Sequence, residues 1–308
     1  MLPQDLSPSG IDQRNALLFY QAVLSHGFFH ALITADPAPE FIFLPHFKSI
    51  PVQNGDRSSQ VCPFVQGETF FLQTTFREQL QKLRQKGLMV FQPLLDLKGG
   101  LGGARIPMVS AAAEMGIIRK SAERAFDVAF KRQMQCMAEM KTLGQQALTG
   151  LESNPEKMGV VIFSRPYNGL VEEANMGIPR KLASRGILVI PFDFLPFDHE
   201  KPKRHMYWGM GQMILKAARF VKKHPQLFGV YITNFSCGPD SFLVSYFRSI
   251  MGKKPSLTLE LDSHTADAGI DTRIEAFVDI VSAFRQLVRH RKIDMTEHPF
   301  RAARTSLV

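Results

Sequence analysis

Apolar positions at Ala16, Leu17, Phe19, Tyr20, Val23 and Leu24 follow the spacing of one helix face over residues 12–26, and Gly27 marks the expected end. A short apolar run at 38–44 reads as a buried strand closed by Pro45, after which a polar loop leads to Gln60. Helical periodicity returns from about 69 to 85, a strand follows at Leu88-Met89-Val90-Phe91, and a glycine-rich stretch from Lys98 to Arg105 reads as a flexible loop. A long helix with apolar positions at Ala125, Phe126, Ala129, Met134, Met137, Met140, Leu143 and Leu148 is expected over 121–151.

From there the pattern alternates. Strands are expected at 159–163, 187–190, 228–232 and 256–261, with helices at about 174–184, 205–223, from near Ser241, and at 272–289. Strand and helix in turn at this spacing predict parallel sheets covered on both faces. The expected fold class is α/β: two Rossmann-like lobes with parallel sheets flanked by helices, joined by a long helix. Residues 1–120 form a smaller N-terminal α/β lobe, 121–152 the connecting helix, 153–290 the C-terminal α/β lobe and 291–308 a loose tail.

Composition narrows the function classes. No run reaches the roughly 18 apolar residues that cross a bilayer, and the N-terminus lacks the basic-then-apolar order of a signal peptide, so no membrane partner and a cytoplasmic location are expected. The formal charge of +9 is scattered over helix faces, which argues against nucleic acid and leaves room for an anionic small molecule or an acidic partner. Three cysteines without CxxC spacing exclude a disulfide framework and a local zinc site.

The candidate chemistry centres on Asn234-Phe235-Ser236-Cys237-Gly238-Pro239-Asp240-Ser241. An apolar run before it and a helical pattern after it place Cys237 at a strand end and a helix start, the position where open α/β sheets bind ligands. Unpaired N–H groups and the helix dipole favour a thiolate there, so Cys237 is expected to be presented rather than buried. Gly238 allows close approach to the backbone, and Pro239 suits a first helical turn. Cys62, held extended by the following Pro63, shares this kind of site. Cys136, among Met134, Met137 and Met140, is expected to pack into the core.

The glycines at 99–103 match neither GxGxxG nor the Walker pattern, and no GxSxG elbow is present. Asp262, His264, Asp267 and Asp271 lack calcium-loop spacing, and Thr272-x-x-Glu275 reads as a helix-start capping box. His264 keeps a functional reading near its strand end, and a Cys237–His264–Asp triad stays open. Arg165 either holds an anionic group or pairs with a carboxylate.

Ile232-Thr233-Asn234-Phe235 through Ser241, Leu261 through Gly269, Thr272-Arg273-Ile274-Glu275-Ala276-Phe277, Arg165-Pro166-Tyr167-Asn168, Trp208 with Gly211-Gln212, and Cys62-Pro63-Phe64-Val65-Gln66-Gly67 together resemble the acyl-CoA dehydratase activase-related proteins. These are relatives of 2-hydroxyacyl-CoA dehydratase and benzoyl-CoA reductase subunits. The resemblance implies a [4Fe-4S] cluster held by cysteines at strand ends in a cleft between facing lobes. It also implies a separate ATP-dependent activase or electron donor protein and an acyl-CoA substrate. If the chain is enzymatic, it belongs to a dehydratase-like or acyl-CoA reductase-like system. The expected metal ligands are Cys62, Cys237 and Cys136, and the expected cofactor-binding residues are Arg165, Asn168, Gly238, Asp240 and His264. Cys62 and Cys237 alone leave irons unsupported, so a homodimer sharing a cluster is one arrangement. The rival reading is a cluster-free binding or scaffold protein that keeps the fold.

Overall fold

Proline decides the shape of the first sheet region. The computed structural model describes residues 20–53, 59–262 and 265–291. Its contacts divide the chain into two units, residues 1–135 with 206–210 and residues 136–205 with 211–308. In the first unit, β1 (Phe41–Phe43) pairs in parallel with β3 (Met89–Phe91), and β2 (His46–Ser49) pairs in parallel with β4 (Leu94–Asp96). Pro45 and Pro93 interrupt what would otherwise be two longer strands, because proline brings no N–H to a ladder. Leu44 N–H to the Phe91 carbonyl (2.8 Å) and His46 N–H to the Pro93 carbonyl (2.9 Å) carry the pairing across the break.

Helices α1 (Tyr20–Ile33), α2 (Pro63–Thr75) and α3 (Arg77–Gln85) cover one face, packing Phe29, Ile33, Leu72, Phe76 and Leu80 on Ile42. Helix α1 runs through Gly27 instead of stopping there. A mid-helix glycine costs about 1 kcal/mol, less than burying Phe29 and Ile33 beyond it provides. Helix α2 starts at Pro63, six residues before the expected start, since the apolar period is weak in its first turns. The glycine-rich stretch is not a plain loop: it forms a 3-10 turn, Leu101–Ala104, that enters α4 (Arg105–Glu114). Strands β2 and β4 and helix α4 were not signalled by the pattern. Residues 206–210 join this unit through Gln60, whose N–H donates to the Tyr207 carbonyl and whose carbonyl accepts from Gly209 N–H.

Helix α5 (Arg119–Glu152) is the expected long helix, and the division between units falls within it, between Gln135 and Cys136. The second unit is a four-stranded parallel sheet in the order β6-β5-β7-β8, from β5 (Gly159–Phe163), β6 (Leu188–Pro191), β7 (Leu227–Asn234) and β8 (Ser256–Leu261). Every residue of β5 and β7 is buried, as central parallel strands with helices on both faces must be. Helices α9 (Gly209–Lys223), α10 (Gly238–Met251) and α11 (Asp267–Arg291) alternate with the strands. The sheet core of Val160, Ile162, Val230, Ile232 and Leu259 packs against Ile178, Leu182, Ile274 and Phe277. The chain is thus an α/β protein with parallel sheets flanked by helices.

A short helix, α6 (Pro166–Gly169), follows β5, and the helix expected at 174–184 is instead divided between α7 (Glu172–Asn175) and α8 (Ile178–Ala183). Left-handed backbone at Met176 and Gly177 separates the last two. Thr272 does not cap α11. It lies inside the helix and donates back to the Ala268 carbonyl, and the turn before the helix is closed by Thr265, whose hydroxyl accepts from Asp262 N–H and donates to the Asp262 carboxylate. The residues of the expected tail beyond 291 lie outside the described residues.

Candidate functional site

In the second unit the chain leaves β5 toward β6 on one side and leaves β7 toward β8 on the other. The carboxyl ends of β5 and β7 therefore flank a topological switch point, where adjacent loops diverge and open a crevice. The β5 end supplies Arg165 and Asn168, and the β7 end supplies Asn234, Cys237, Gly238 and Asp240. Strand order thus brings together five of the expected site residues: Arg165, Asn168, Cys237, Gly238 and Asp240.

The two loops are tied by buried polar groups. Arg165, 7% exposed, donates to Asp240 Oδ1 from Nη2 (3.1 Å) and Nε (3.3 Å), and Asp240 itself is 2% exposed. The same carboxylate accepts from Tyr231 Oη (3.0 Å) and Thr233 Oγ1 (2.7 Å) on β7. Burial alone would lower the Arg165 pKa, but the Asp240 charge beside it, with smaller contributions from Tyr231, Tyr167 and Cys237, carries it above the ordinary range. Burial and the same carboxylate push the Tyr231 phenol well up, so it stays a donor. A second tie runs from Asn234 Nδ2 to Asn168 Oδ1 at 2.9 Å, with Asn168 itself buried. Of the two readings open for Arg165, the structure shows the carboxylate pair.

Cys237 is the N-cap of α10 in extended backbone, with Pro239 in the first turn. A turn closed by Cys237 N–H to the Asn234 carbonyl sets its position, with Ser236 at φ 63°. The expectation that Cys237 is presented is corrected: it is 8% exposed, because the Asp240 ties draw the first turn of α10 down onto β7. It still borders a cavity of about 320 Å³ that runs along α10 past Ser241 and Arg248 and over Thr258 and Glu260 of β8. Gly238 lies on this cavity, and no atom stands within 4 Å of where its Cβ would be.

In the first unit, Cys62 is the half-buried N-cap of α2, extended at φ −51° and ψ 140° and followed by Pro63. Its carbonyl accepts from Gln66 N–H at 3.0 Å. The core assignment of Cys136 is overturned. It is exposed on α5, whose residues 131–139 are exposed throughout, so the apolar neighbours that suggested packing meet no core among the described residues. His264 lies outside the described residues.

Asp267 and Asp271 pair with Lys181 at 3.1 and 2.6 Å, tying α11 to α8. Among the described residues no group of three His, Cys, Asp or Glu could hold a metal ion, and no helix is long and apolar enough to cross a membrane. Sequence reasoning missed Tyr231, Thr233 and Asn234 as site residues. The available signal was three hydrogen-bonding side chains closing a strand that is otherwise apolar.

A family model described as the CoA enzyme activase uncharacterised domain (DUF2229) matches residues 20–195. The match contains Cys62, Cys136, Arg165 and Asn168 and ends before the Cys237 loop. Neither a curated protein nor a solved structure matches the chain. Because the family model spans more than half of the 308 residues, the chain belongs to the CoA enzyme activase uncharacterised domain family.

Proposed function

We propose that the chain is an iron–sulfur electron-transfer component of the acyl-CoA dehydratase and activase-related type, with Cys62 and Cys237 as thiolate ligands. One observation carries this reading: the two cysteines, in different units, occupy the same kind of position at a helix start. Each is an extended N-cap residue of a helix with proline in its first two positions. The unpaired amides and dipole of a helix start favour a thiolate, and thiolates are the usual holders of iron–sulfur clusters.

The donor type fits, but the count does not close within one chain. A [4Fe-4S] cluster takes about four ligands, the chain has three cysteines, and Cys136 points to solvent on α5. Two copies pooling Cys62 and Cys237 reach four thiolates, so a homodimer belongs to the proposal. When bound, the cluster supplies one-electron chemistry, with electrons from a separate ATP-dependent activase or donor and an acyl-CoA as the molecule acted on. The chain's own contribution is positional. Asp240, tied by Arg165, Tyr231 and Thr233, fixes the turn that carries Cys237, and Asn168 holds the neighbouring Asn234. A cytoplasmic setting accords with three cysteines outside any disulfide. The second reading, a cluster-free binding or scaffold protein, is favoured by the burial of Cys237.

Anaerobic purification and reconstitution test the two. The proposal expects a brown protein absorbing near about 400 nm, with about four irons per two chains in a dimer. Cys62→Ser and Cys237→Ser each lose the iron, and Cys136→Ser keeps most of it. A colourless, iron-free protein after reconstitution establishes the second reading, and loss of iron from Cys136→Ser makes that residue a ligand.

A further inference from the structure

We propose that the first unit carries a binding groove for a nucleoside di- or triphosphate at the corner between α2 and α3. The chain turns sharply at Phe76, which ends one helix and precedes the next. Helix α3 directs Arg77, Leu80, Gln81 and Arg84, one stripe at i, i+3, i+4 and i+7, toward the end of α2, where Phe70 and Gln73 face it. The groove between them encloses about 440 Å³, within the size range of small-molecule sites. Leu80 is buried beneath it and forms a firm floor.

The lining is selective in charge. Among the described residues no carboxylate lines the groove, and neither Arg77 nor Arg84 takes part in an ion pair. Two guanidinium groups therefore face one concavity without a protein anion to neutralise them. They stand seven residues apart, about 10 Å along the helix axis, a separation that long arginine side chains close around a diphosphate better than around one phosphate. Arg84 is already oriented: its Nη2 donates to Gln73 Oε1 at 3.0 Å, while Gln73 Nε2 donates to the Thr69 carbonyl at 3.3 Å. The remaining N–H groups of that fork stay available to phosphate oxygens.

Phe70 supplies the second half of the recognition. It is 57% exposed and lines the groove, and the His46 ring is set edge-on to it at 5.3 Å. An exposed ring beside two arginines suits an aromatic base joined to a diphosphate. The chain has no GxxxxGK[ST] loop, so the groove would hold the phosphates by side chains and not by a glycine-rich backbone cradle.

Titration of the full chain with ADP, inorganic pyrophosphate and adenosine, followed by calorimetry, tests this. Arg77, Arg84 and Phe70 are all exposed, so Arg77→Gln, Arg84→Gln and Phe70→Ala should melt like the parent. ADP should bind about tenfold more tightly than either pyrophosphate or adenosine alone. Each arginine substitution should weaken ADP and pyrophosphate by about tenfold or more, whereas Phe70→Ala should weaken ADP and leave pyrophosphate unchanged. Absence of ADP binding at millimolar concentration, or binding unaffected by either arginine substitution, overturns the proposal. An unchanged ADP affinity in Phe70→Ala overturns the base-stacking half and reduces the site to an anion groove.

Discussion

Arg165 and Asp240, 75 residues apart in sequence, form a buried ion pair at 3.1 Å that joins the end of β5 to the first turn of α10. Arg165→Met leaves a buried carboxylate held only by Tyr231 and Thr233. We expect a loss of about 3–5 kcal/mol in urea unfolding. Pairing it with Asp240→Leu should recover much of that loss, because no uncompensated charge then remains. A double variant no more stable than Arg165→Met would show that the carboxylate is held mainly by β7.

Lys254 is buried beneath the end of α9, where its Nζ donates to the Val221 carbonyl at 2.8 Å and to the His224 carbonyl, and lies 5.1 Å from the Phe228 ring centre. Burial, with Lys222 nearby, brings its pKa down to about 7 from an ordinary 10.5. Between those values the unfolded chain holds a proton that the folded chain has released. Stability should therefore rise with pH across this window, with a slope of up to about 1.4 kcal/mol per pH unit from this group. Lys254→Met should remove that rise. Parallel pH profiles for parent and variant in chemical denaturation would refute it.

Gly144 lies inside α5, where alanine normally stabilises a helix by about 1 kcal/mol. A Cβ there would run into the backbone carbonyl of Phe194, which has no flexible end to move aside. Gly144→Ala should cost about 1–3 kcal/mol, while Gly150→Ala in the same helix, with open space around it, should be neutral or stabilising. The two melting temperatures should move in opposite directions, and a rise for both would remove the close approach from the account.

Much of the second unit is legible along the chain. Strands β5 and β8 fall on the residues their apolar runs mark, and the Cys237 turn opens a helix as Gly238 and Pro239 suggest. Period, proline and glycine act within a few residues, so a sequence displays them directly. What the chain does not display is which strands become neighbours. The order β6-β5-β7-β8 sets the Arg165 loop against the Cys237 loop, and only then do Arg165 and Asp240, or Asn168 and Asn234, become partners. Burial is decided in the same way. Cys237 sinks because Asp240 is pulled onto β7, and Cys136 stays exposed because no described residue covers that part of α5. The sequence set the local grammar of strand, thiol and helix. The pairing of distant segments, which exchanges water for protein around each side chain, decided which of those groups became a site.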